Sequence, residues 1–588
     1  MKRMTVSDYI VEFLISKGIK HTYGYQGGMI AYLFDSLKKY EDKISYHVPY
    51  HESGGSFAAC GGAQATGKCG FCFVTSGPGF TNALTGMANA FCDSIPVIYI
   101  AGQVNFKDKK HGMDIRQKGF QEILMAEIAR PVCKKSYDID TADQMVIALN
   151  EAYEIATTGR KGPVFLDIPI NVFREYVEVP DFFEVDDTMF SINLDLSGIE
   201  TIIDSSLRPI ILAGAGIRQS GCIHNFRNLV DSCDIPVVTS MLSVDVLPTS
   251  NIHNFGFVGP DGIRCANYLI DQSDCIISLG ARLDPRQTGY NTNVFAPEAK
   301  LIRVDIDEKE FTRKIKADEI DIRCDLRDFF KSISLGHNKD HLDWLSRCNI
   351  IKEELSGLDE NIANYYIKHI TSVISDDSNV FLDVGKNQLW GSQSVVVKEK
   401  TGVYSSGGFG SMGYSLPAAI GACFETGRPT YTINGDGGIQ MNIQEFQTIA
   451  KNNLPVKIIV INNHALANVV IFQDRWLESR YVGTMESQKD YYAADVCQIA
   501  NAYGIKAIRL RDVSDIDNYQ EDLLDMSPLL VEFEIPDRTP VLPDIAADRD
   551  PLRFDGRLSE ELIERIENLA KGDWVMLEKL KKEVCDVD

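Results

Sequence analysis

At 588 residues the chain is too long for a single hydrophobic core and fits about three domains of ordinary size. Its 44% hydrophobic content is that of a globular protein, and a net charge of −24 argues against nucleic acid or an anionic membrane as partner. No apolar run is long enough to span a bilayer, and the 14 cysteines are scattered in apolar contexts such as Cys60, Cys92, Cys275 and Cys423, as suits the buried, reduced thiols of a cytoplasmic protein.

Residues 1–20 have amphipathic-helix spacing (Val6, Tyr9, Ile10, Phe13, Leu14) with acids among the charges, unlike a signal peptide. Helical and strand patterns then alternate to residue 168, which predicts an α/β domain with a mainly parallel sheet over residues 1–179. Three glycine turns follow strands: Gln26-Gly27-Gly28, Ser76-Gly77-Pro78-Gly79 and Gly102-Gln103. His51-Glu52-Ser53 opens a helix. By itself Glu52 reads equally well as a first-turn acid favoured by the helix dipole. No histidine lies four residues after His51, so the zinc motif is absent. Cys69-Gly-Phe-Cys72 has the spacing of a redox pair but lies in or beside a buried strand, which favours a structural role.

Residues 176–191 are acidic with weak periodicity and read as a linker. In the middle domain, residues 191–335, one strand runs into Gly214-Ala215-Gly216. A second runs into Gly280-Ala-Arg282-Leu-Asp284-Pro-Arg286, and a third ends on Asp305. The third domain, residues 361–540, opens with a strand and the polar turn Asp383-Val-Gly385-Lys386-Asn387. A glycine-rich segment from Gly407 to Ala419 follows. Then comes a strand ending in Asn434-Gly435-Asp436-Gly437-Gly438, helical periodicity over 442–453, and a second strand ending on Asn462-Asn463. Such a strand–helix–strand unit makes the two strands parallel neighbours. Asp436 and the asparagine pair then share the strand ends where open α/β sheets bind ligands. A carboxylate and an amide carbonyl there suit Mg2+, and the glycines let backbone N–H groups approach a diphosphate. The tail, 541–588, has a Pro-containing hinge and two amphipathic helix patterns, 558–569 and 574–584.

Gly435-Asp436-Gly437, a helix, a strand and Asn462-Asn463 together resemble the thiamine diphosphate-binding motif. His51-Glu52-Ser-Gly-Gly-Ser-Phe-Ala-Ala, the stretch 74–96 and Gly119-Phe120-Gln121-Glu122 resemble the pyrimidine-binding domain of the acetolactate synthase family, and the likeness runs from about residue 7 to 535. It implies three doubly wound α/β domains with mainly parallel sheets: pyrimidine-binding, central of FAD or spacer type, and diphosphate-binding. It implies that Glu52 bonds the aminopyrimidine ring so that the ring can take the proton of the thiazolium C2. Asp436, Asn463 and the Ala465 carbonyl are the implied Mg2+ ligands. Gly28, Lys386, Asn387, Gly410, Gly437 and Gly438 are further coenzyme contacts, with Met412 beneath the bend of the coenzyme and the Gly410 carbonyl accepting its amino group. Gln121 is the implied positioner of donor or acceptor. Gly214, Gly216, Arg282, Arg286 and Asp305 are candidate FAD contacts. The family places its active sites between subunits, so a homodimer or homotetramer is expected.

The departures cluster. Gly259-Pro260-Asp261-Gly262 replaces Gly-Met-His-Gly, and an acid near a diphosphate is unfavourable; the central domain therefore stands open between a flavin site and an empty spacer. Lys386-Asn387 replaces Gln-His, and both can still donate to phosphate. Leu466-Ala467-Asn468-Val469 and Phe472-Gln473 replace Gln-Gly-Met-Val and Trp-Gln. Ile170 stands in the place of a lysine, and Met29 in that of a smaller residue. The acceptor pocket of Met29, Phe120, Ile170, Asn468 and Phe472 thus differs from the family pattern. The expected activity is Mg2+- and thiamine diphosphate-dependent decarboxylation of pyruvate or a similar 2-keto acid, with transfer of the two-carbon unit to an acceptor carbonyl. A second keto acid is one acceptor; a nucleotide-linked keto sugar or an aldehyde is another. A simple decarboxylase and a non-catalytic coenzyme-binding paralogue are the remaining alternatives, the last disfavoured by the presence of Glu52, Asp436, Asn463 and Met412.

Overall fold

Short apolar runs alternating with amphipathic stretches produce three six-stranded sheets. The computed structural model describes residues 2–179, 193–544 and 550–572. In the first part of the chain the strands are β1 (Lys2–Thr5), β2 (His21–Gly24), β3 (Ser45–His47), β4 (Gly70–Val74), β5 (Val97–Gln103), β6 (Lys135–Asp138), β7 (Val164–Pro169) and β8 (Tyr176–Val179). Six of them form a sheet in the order β3-β2-β4-β5-β7-β6, every pairing parallel. Central strands such as β5 are buried along their whole length, which explains their unbroken apolar character.

Two expectations need correction here. The N-terminal helix begins only at Val6, because Lys2–Thr5 pairs antiparallel with β8. The stretch read as linker from 176 therefore starts as a strand; its remainder, 180–191, lies outside the described residues. Cys69 and Cys72 are buried and unbridged, and burial pushes the Cys69 thiol up to about 12, so neither is a redox thiolate.

The middle sheet contains β9 (Pro209–Ala213), β10 (Val237–Thr239), β11 (Asn254–Phe257), β12 (Cys275–Leu279), β13 (Lys300–Asp305) and β14 (Ile320–Arg323) in the order β11-β10-β9-β12-β13-β14, all parallel. The third contains β15 (Asn379–Leu382), β16 (Gly402–Ser405), β17 (Thr430–Gly435), β18 (Val456–Asn462), β19 (Lys506–Leu510) and β20 (Leu529–Glu534) in the order β16-β15-β17-β18-β20-β19. β17 and β18 are parallel neighbours, as their motif predicts. Among the described residues no helix is long and apolar enough to cross a membrane.

Backbone contacts divide the chain into two units. One, the described residues within 1–189, 373–388 and 404–538, holds the first and third sheets. There the helices Glu52–Thr66 and Ser415–Thr426 are packed so closely that a Cβ at Gly61 would run into the Ala418 carbonyl, and one at Gly421 into the Ala58 carbonyl. Tyr414 stands edge-on to Phe57 with ring centroids 5.4 Å apart, and the Tyr23 hydroxyl donates to the Gly421 carbonyl at 3.0 Å. One apolar cluster, from Tyr23 and Phe57 to Phe446 and Leu530, runs through both sheets.

The other unit comprises the described residues within 190–372, 389–403 and 539–588. The first tail helix, Glu560–Lys571, packs in it through Ile563, Ile566 and Leu569, and Arg347 donates to the carbonyls of Leu569 and Ala570 at 3.2 and 2.6 Å. The second tail helix expected at 574–584 lies outside the described residues.

Gly421→Val should destabilise the first unit by about 1–3 kcal/mol, because the helix pair has no room for a side chain. A lowered denaturation midpoint with an unchanged slope would show it.

Candidate active site

β17 and β18 run in register, Asn434 beside Val460 and Gly435 beside Ile461. Asp436 follows directly on β17, and Asn463 follows Asn462, the last residue of β18, so the two emerge within one residue of each other in register at the C-terminal ends of these strands. The Asn463 amide presents one of its two terminal atoms to both Asp436 Oδ1, at 3.1 Å, and the Ala465 carbonyl, at 3.2 Å. With its nitrogen turned in, the amide donates to both oxygens. With its oxygen turned in, its nitrogen faces the Asp537 carbonyl at 3.4 Å, and three oxygens converge. Neighbouring ligands on an octahedron with bonds of about 2.1 Å lie about 3.0 Å apart, so the trio suits a small, hard cation. The second Asp436 oxygen accepts a hydrogen bond from the Tyr491 hydroxyl at 3.0 Å. Burial raises Asp436 to about 6, partly offset by that bond.

The glycine turn expected after Gly435 is a correction: Asp436–Gln440 is a short helix that contains Gly437 and Gly438. A Cβ at Gly438 would run into Asp383 Oδ2 and one at Gly437 into Leu466. These glycines answer first to protein packing.

Asp383 was quoted in the sequence only as part of a turn, yet it organises this edge. Fully buried, it accepts from the backbone N–H groups of Val384 and Gly413, at 2.9 and 3.0 Å, and from those of Tyr414 and Ser415. Burial still pushes it up to about 7. Asp383 thereby ties β15 to the turn carrying Gly410 and Met412. Gly410 has φ +74°, a left-handed conformation that favours glycine, with open space beside it. The Ser406 hydroxyl accepts from the Gly410 N–H at 3.0 Å, and Met412 is partly exposed with its methyl close to Gly437. Lys386 and Asn387 are buried at the start of the helix Lys386–Ser394. Burial lowers Lys386 to about 8, against the pull of Asp474. Asn387 lies against Gly435.

Glu52 opens its helix half-buried, and its Oε2 accepts from Asn82 Nδ2 at 2.9 Å. Among the described hydrogen bonds of one chain, none joins Glu52 to Asp436, Asn463 or the Met412 turn. Gln121 adopts a left-handed conformation, φ +67°, with its carbonyl against Gly77. Gly28 is exposed with open space around it, and the Met29 carbonyl abuts Gly102. Ile170 begins a short helix at the end of β7. Asn468 and Phe472, four residues apart on the helix Ala467–Trp476, share an exposed face. Phe120 is 78% exposed.

Three residues went unseen in the sequence. Tyr491 carries no pattern that would mark it. Glu532 interrupts an otherwise apolar buried strand, which was a usable signal. It accepts from Asn462 Nδ2 at 2.8 Å and from Arg509 at 2.7 Å, and so braces the asparagine turn. Asp167, on β7 close to Ile170, is the third. It is buried, its Oδ2 accepts from Gln103 at 3.2 Å and its Oδ1 has no partner.

In the second unit, a Cβ at Gly214 would run into the Gly280 carbonyl and one at Gly216 would crowd Gly280 Cα at 2.8 Å. Those glycines serve the approach of two strand ends. Arg282 is paired with Asp284, Arg286 Nη2 reaches Met241 Sδ at 3.6 Å, and Asp305 accepts from the Asp307 N–H at 2.9 Å. A cavity of about 320 Å³ opens beside Gly259, Gln287, Gly289 and Phe295.

Three family models match the chain: the N-terminal TPP binding domain of thiamine pyrophosphate enzymes over residues 4–128, their central domain over 196–333, and their C-terminal TPP binding domain over 383–533. The chain is 32% identical over 559 residues to the probable acetolactate synthase large subunit of Methanocaldococcus jannaschii, covering 90% of this chain and 92% of that one. It is 33% identical over 556 residues to the acetolactate synthase large subunit of Lactococcus lactis (92% and 94% covered). To the large subunit of acetolactate synthase isozyme 2 of Escherichia coli it is 29% identical over 550 residues (92% and 97%).

Burial holds Asp167 at about 8, far above an ordinary carboxylic acid. The folded chain keeps a proton that the unfolded chain releases above about pH 4, so this contribution to stability is complete below that pH and is lost as pH rises through 8. Asp167→Asn, which cannot ionise, should therefore gain on the parent by up to about 1.4 kcal/mol per pH unit across this window. Denaturant titrations at several pH values measure it.

Proposed function

The chain belongs to the family of thiamine pyrophosphate enzymes, and from that premise we propose that it is an Mg2+-dependent carboligase of acetolactate synthase type, acting on pyruvate and joining its two-carbon unit to a second 2-keto acid. The observation that carries the metal and diphosphate side is the meeting of Asp436, Asn463 and the Ala465 carbonyl at the ends of β17 and β18. When bound, the coenzyme supplies the electron sink that lets a 2-keto acid lose CO2 and its remainder attack an acceptor carbonyl.

The chain's own residues do the rest. Asp436, Asn463 and Ala465 hold Mg2+ through hard oxygen atoms, and Tyr491 keeps the second Asp436 oxygen from turning away. Lys386 and Asn387 supply donors toward the diphosphate, and Gly437 and Gly438 present the start of a helix to it. The Gly410 carbonyl and Met412 would meet the pyrimidine half. Glu52 would hydrogen-bond the pyrimidine ring and move its proton, with Asn82 fixing the direction of the carboxylate. Gln121 positions substrate, while Met29, Phe120, Ile170, Asn468 and Phe472 shape the acceptor side.

The likeness to acetolactate synthase large subunits supports a site shared between two chains, hence a homodimer or a pair of dimers. We extend the proposal to FAD in the central domain, held by Gly214, Gly216, Arg282, Arg286 and Asp305. The match of residues 196–333 to the central domain of thiamine pyrophosphate enzymes supports it, and Arg282 must exchange Asp284 for the diphosphate. The cysteines of the described residues, unbridged and mostly buried, suit a reducing cytoplasm.

Pure protein given thiamine diphosphate, Mg2+ and pyruvate should release CO2 and form acetolactate. Glu52→Gln should lower that rate by about 10²–10⁴-fold while retaining the coenzyme. CO2 release without acetolactate, restored to carboligation by a keto sugar or an aldehyde, would move the acceptor assignment and leave the rest standing.

The flavin reading expects a yellow preparation that releases FAD on denaturation, with the colour weakened in Arg286→Ala. A colourless parent protein would make the central domain a spacer.

A further inference from the structure

Glu445 has no part in the chemistry described above, yet it is only 1% exposed. Its carboxylate takes three hydrogen bonds: Thr448 Oγ1 donates to Oε2 at 2.6 Å, the Tyr50 N–H donates to Oε1 at 2.9 Å, and the His51 N–H donates as well. Two of the three donors are consecutive backbone groups immediately before Glu52. Gly54, one turn on, packs so tightly that a Cβ there would stand 2.6 Å from Oε1. Beside this contact Ser53 Oγ donates to Asn442 Oδ1 at 3.4 Å, and Asn442 Nδ2 donates to the Gly413 carbonyl at 2.8 Å. Asn442 and Glu445 both lie on the connection from β17 to β18 that Asp436 opens.

The turn at Tyr50 and His51 belongs to no sheet or helix ladder. His51, extended at φ −156° and ψ 146°, is the N-cap of the Glu52 helix. The N–H groups of Tyr50 and His51 point at the buried carboxylate of Glu445, which is their partner from outside the turn. The first residue of a helix inherits its position from the turn before it. We propose that Glu445 is a positioning residue, which holds the backbone of Tyr50 and His51 so that Glu52 leaves its helix in the direction the coenzyme ring requires, and which links that direction to the segment bearing Asp436. The inference rests on the coenzyme reading above. In a site shared between two chains, it also means that the segment gripping one coenzyme's metal steers the acid that serves the neighbouring coenzyme.

Three variants of the full-length protein test this: Glu445→Ala removes the acceptor, Glu445→Gln keeps an oxygen at the same reach, and Glu445→Asp retracts the carboxylate. In coenzyme-free protein, amide hydrogen exchange of the peptide containing Tyr50 and His51 should speed up in Glu445→Ala and Glu445→Asp and return toward the parent in Glu445→Gln. With thiamine diphosphate and Mg2+ bound and no substrate, exchange of the coenzyme's C2 proton should fall by about tenfold or more in Glu445→Ala, with coenzyme affinity near that of the parent and most of the rate recovered by Glu445→Gln. Parent-like C2 exchange, or unaltered amide exchange at Tyr50 and His51, in Glu445→Ala would overturn the proposal. Should Glu445→Ala fail to fold, the same two readouts on Glu445→Asp against Glu445→Gln decide it. A parent protein that binds no thiamine diphosphate would sink the coenzyme reading instead, and the amide-exchange comparison would still judge the grip of Glu445 on its turn.

Discussion

Two parallel strands in register place whatever follows them at the same height. That constraint governs the diphosphate half of this protein. β17 pairs with β18 residue for residue up to Gly435 beside Ile461, and the chain leaves the sheet at Asp436 on one strand and just after Asn462 on the other. A carboxylate, an amide and a main-chain carbonyl are thereby delivered to one point from three places in the sequence. Slipping the register by one residue would exchange the faces on which every side chain of these strands lies and scatter the trio. The burial of both strands on both faces is what forbids the slip.

Around that point the protein repeats one device. Asp383 and Glu445 are buried carboxylates whose work is to receive N–H groups of turns, the turn before the helix Ser415–Thr426 and the turn before the helix Glu52–Thr66, and buried Glu532 receives the side-chain amide of Asn462 at the end of β18. Burying a carboxylate is costly, and burial lifts both Asp383 and Glu445 to about 7. A loop held by a charged acceptor is held in one geometry, which a loop held by apolar packing alone is not. Functional side chains sit on or beside the turns so held.

Most of this architecture was legible in the sequence because parallel strands announce themselves as short apolar runs and their ligand-binding ends as breaks rich in glycine, asparagine and aspartate. Asp436 and Asn463 were placed by that logic, and the strand–helix–strand unit between them formed as expected. Errors arose where local pattern and tertiary pairing part company. Lys2–Thr5 carries the beginning of an amphipathic stretch, but β8 offers it a strand partner from far along the chain, which no local window contains. Gly437 and Gly438 read as a turn because glycine is permissive, whereas the structure needs them for lack of a side chain beside Asp383 and Leu466. Tyr491, Asp167 and Glu445 were invisible for a related reason: each matters through one distant partner, and no spacing in its own neighbourhood encodes that partner.

The glycine contact between the helices Glu52–Thr66 and Ser415–Thr426 has an implication for synthesis on the ribosome. The nascent first sheet emerges with the Ala58–Gly61 face of its helix bare, and the helix that covers it is translated hundreds of residues later. Throughout that interval the N-terminal half has an uncovered apolar seam as its outer wall, of the kind that chaperones bind. A polypeptide released early by premature termination would keep that seam for good, which makes truncated products of this gene candidates for aggregation rather than for independent life as a small domain.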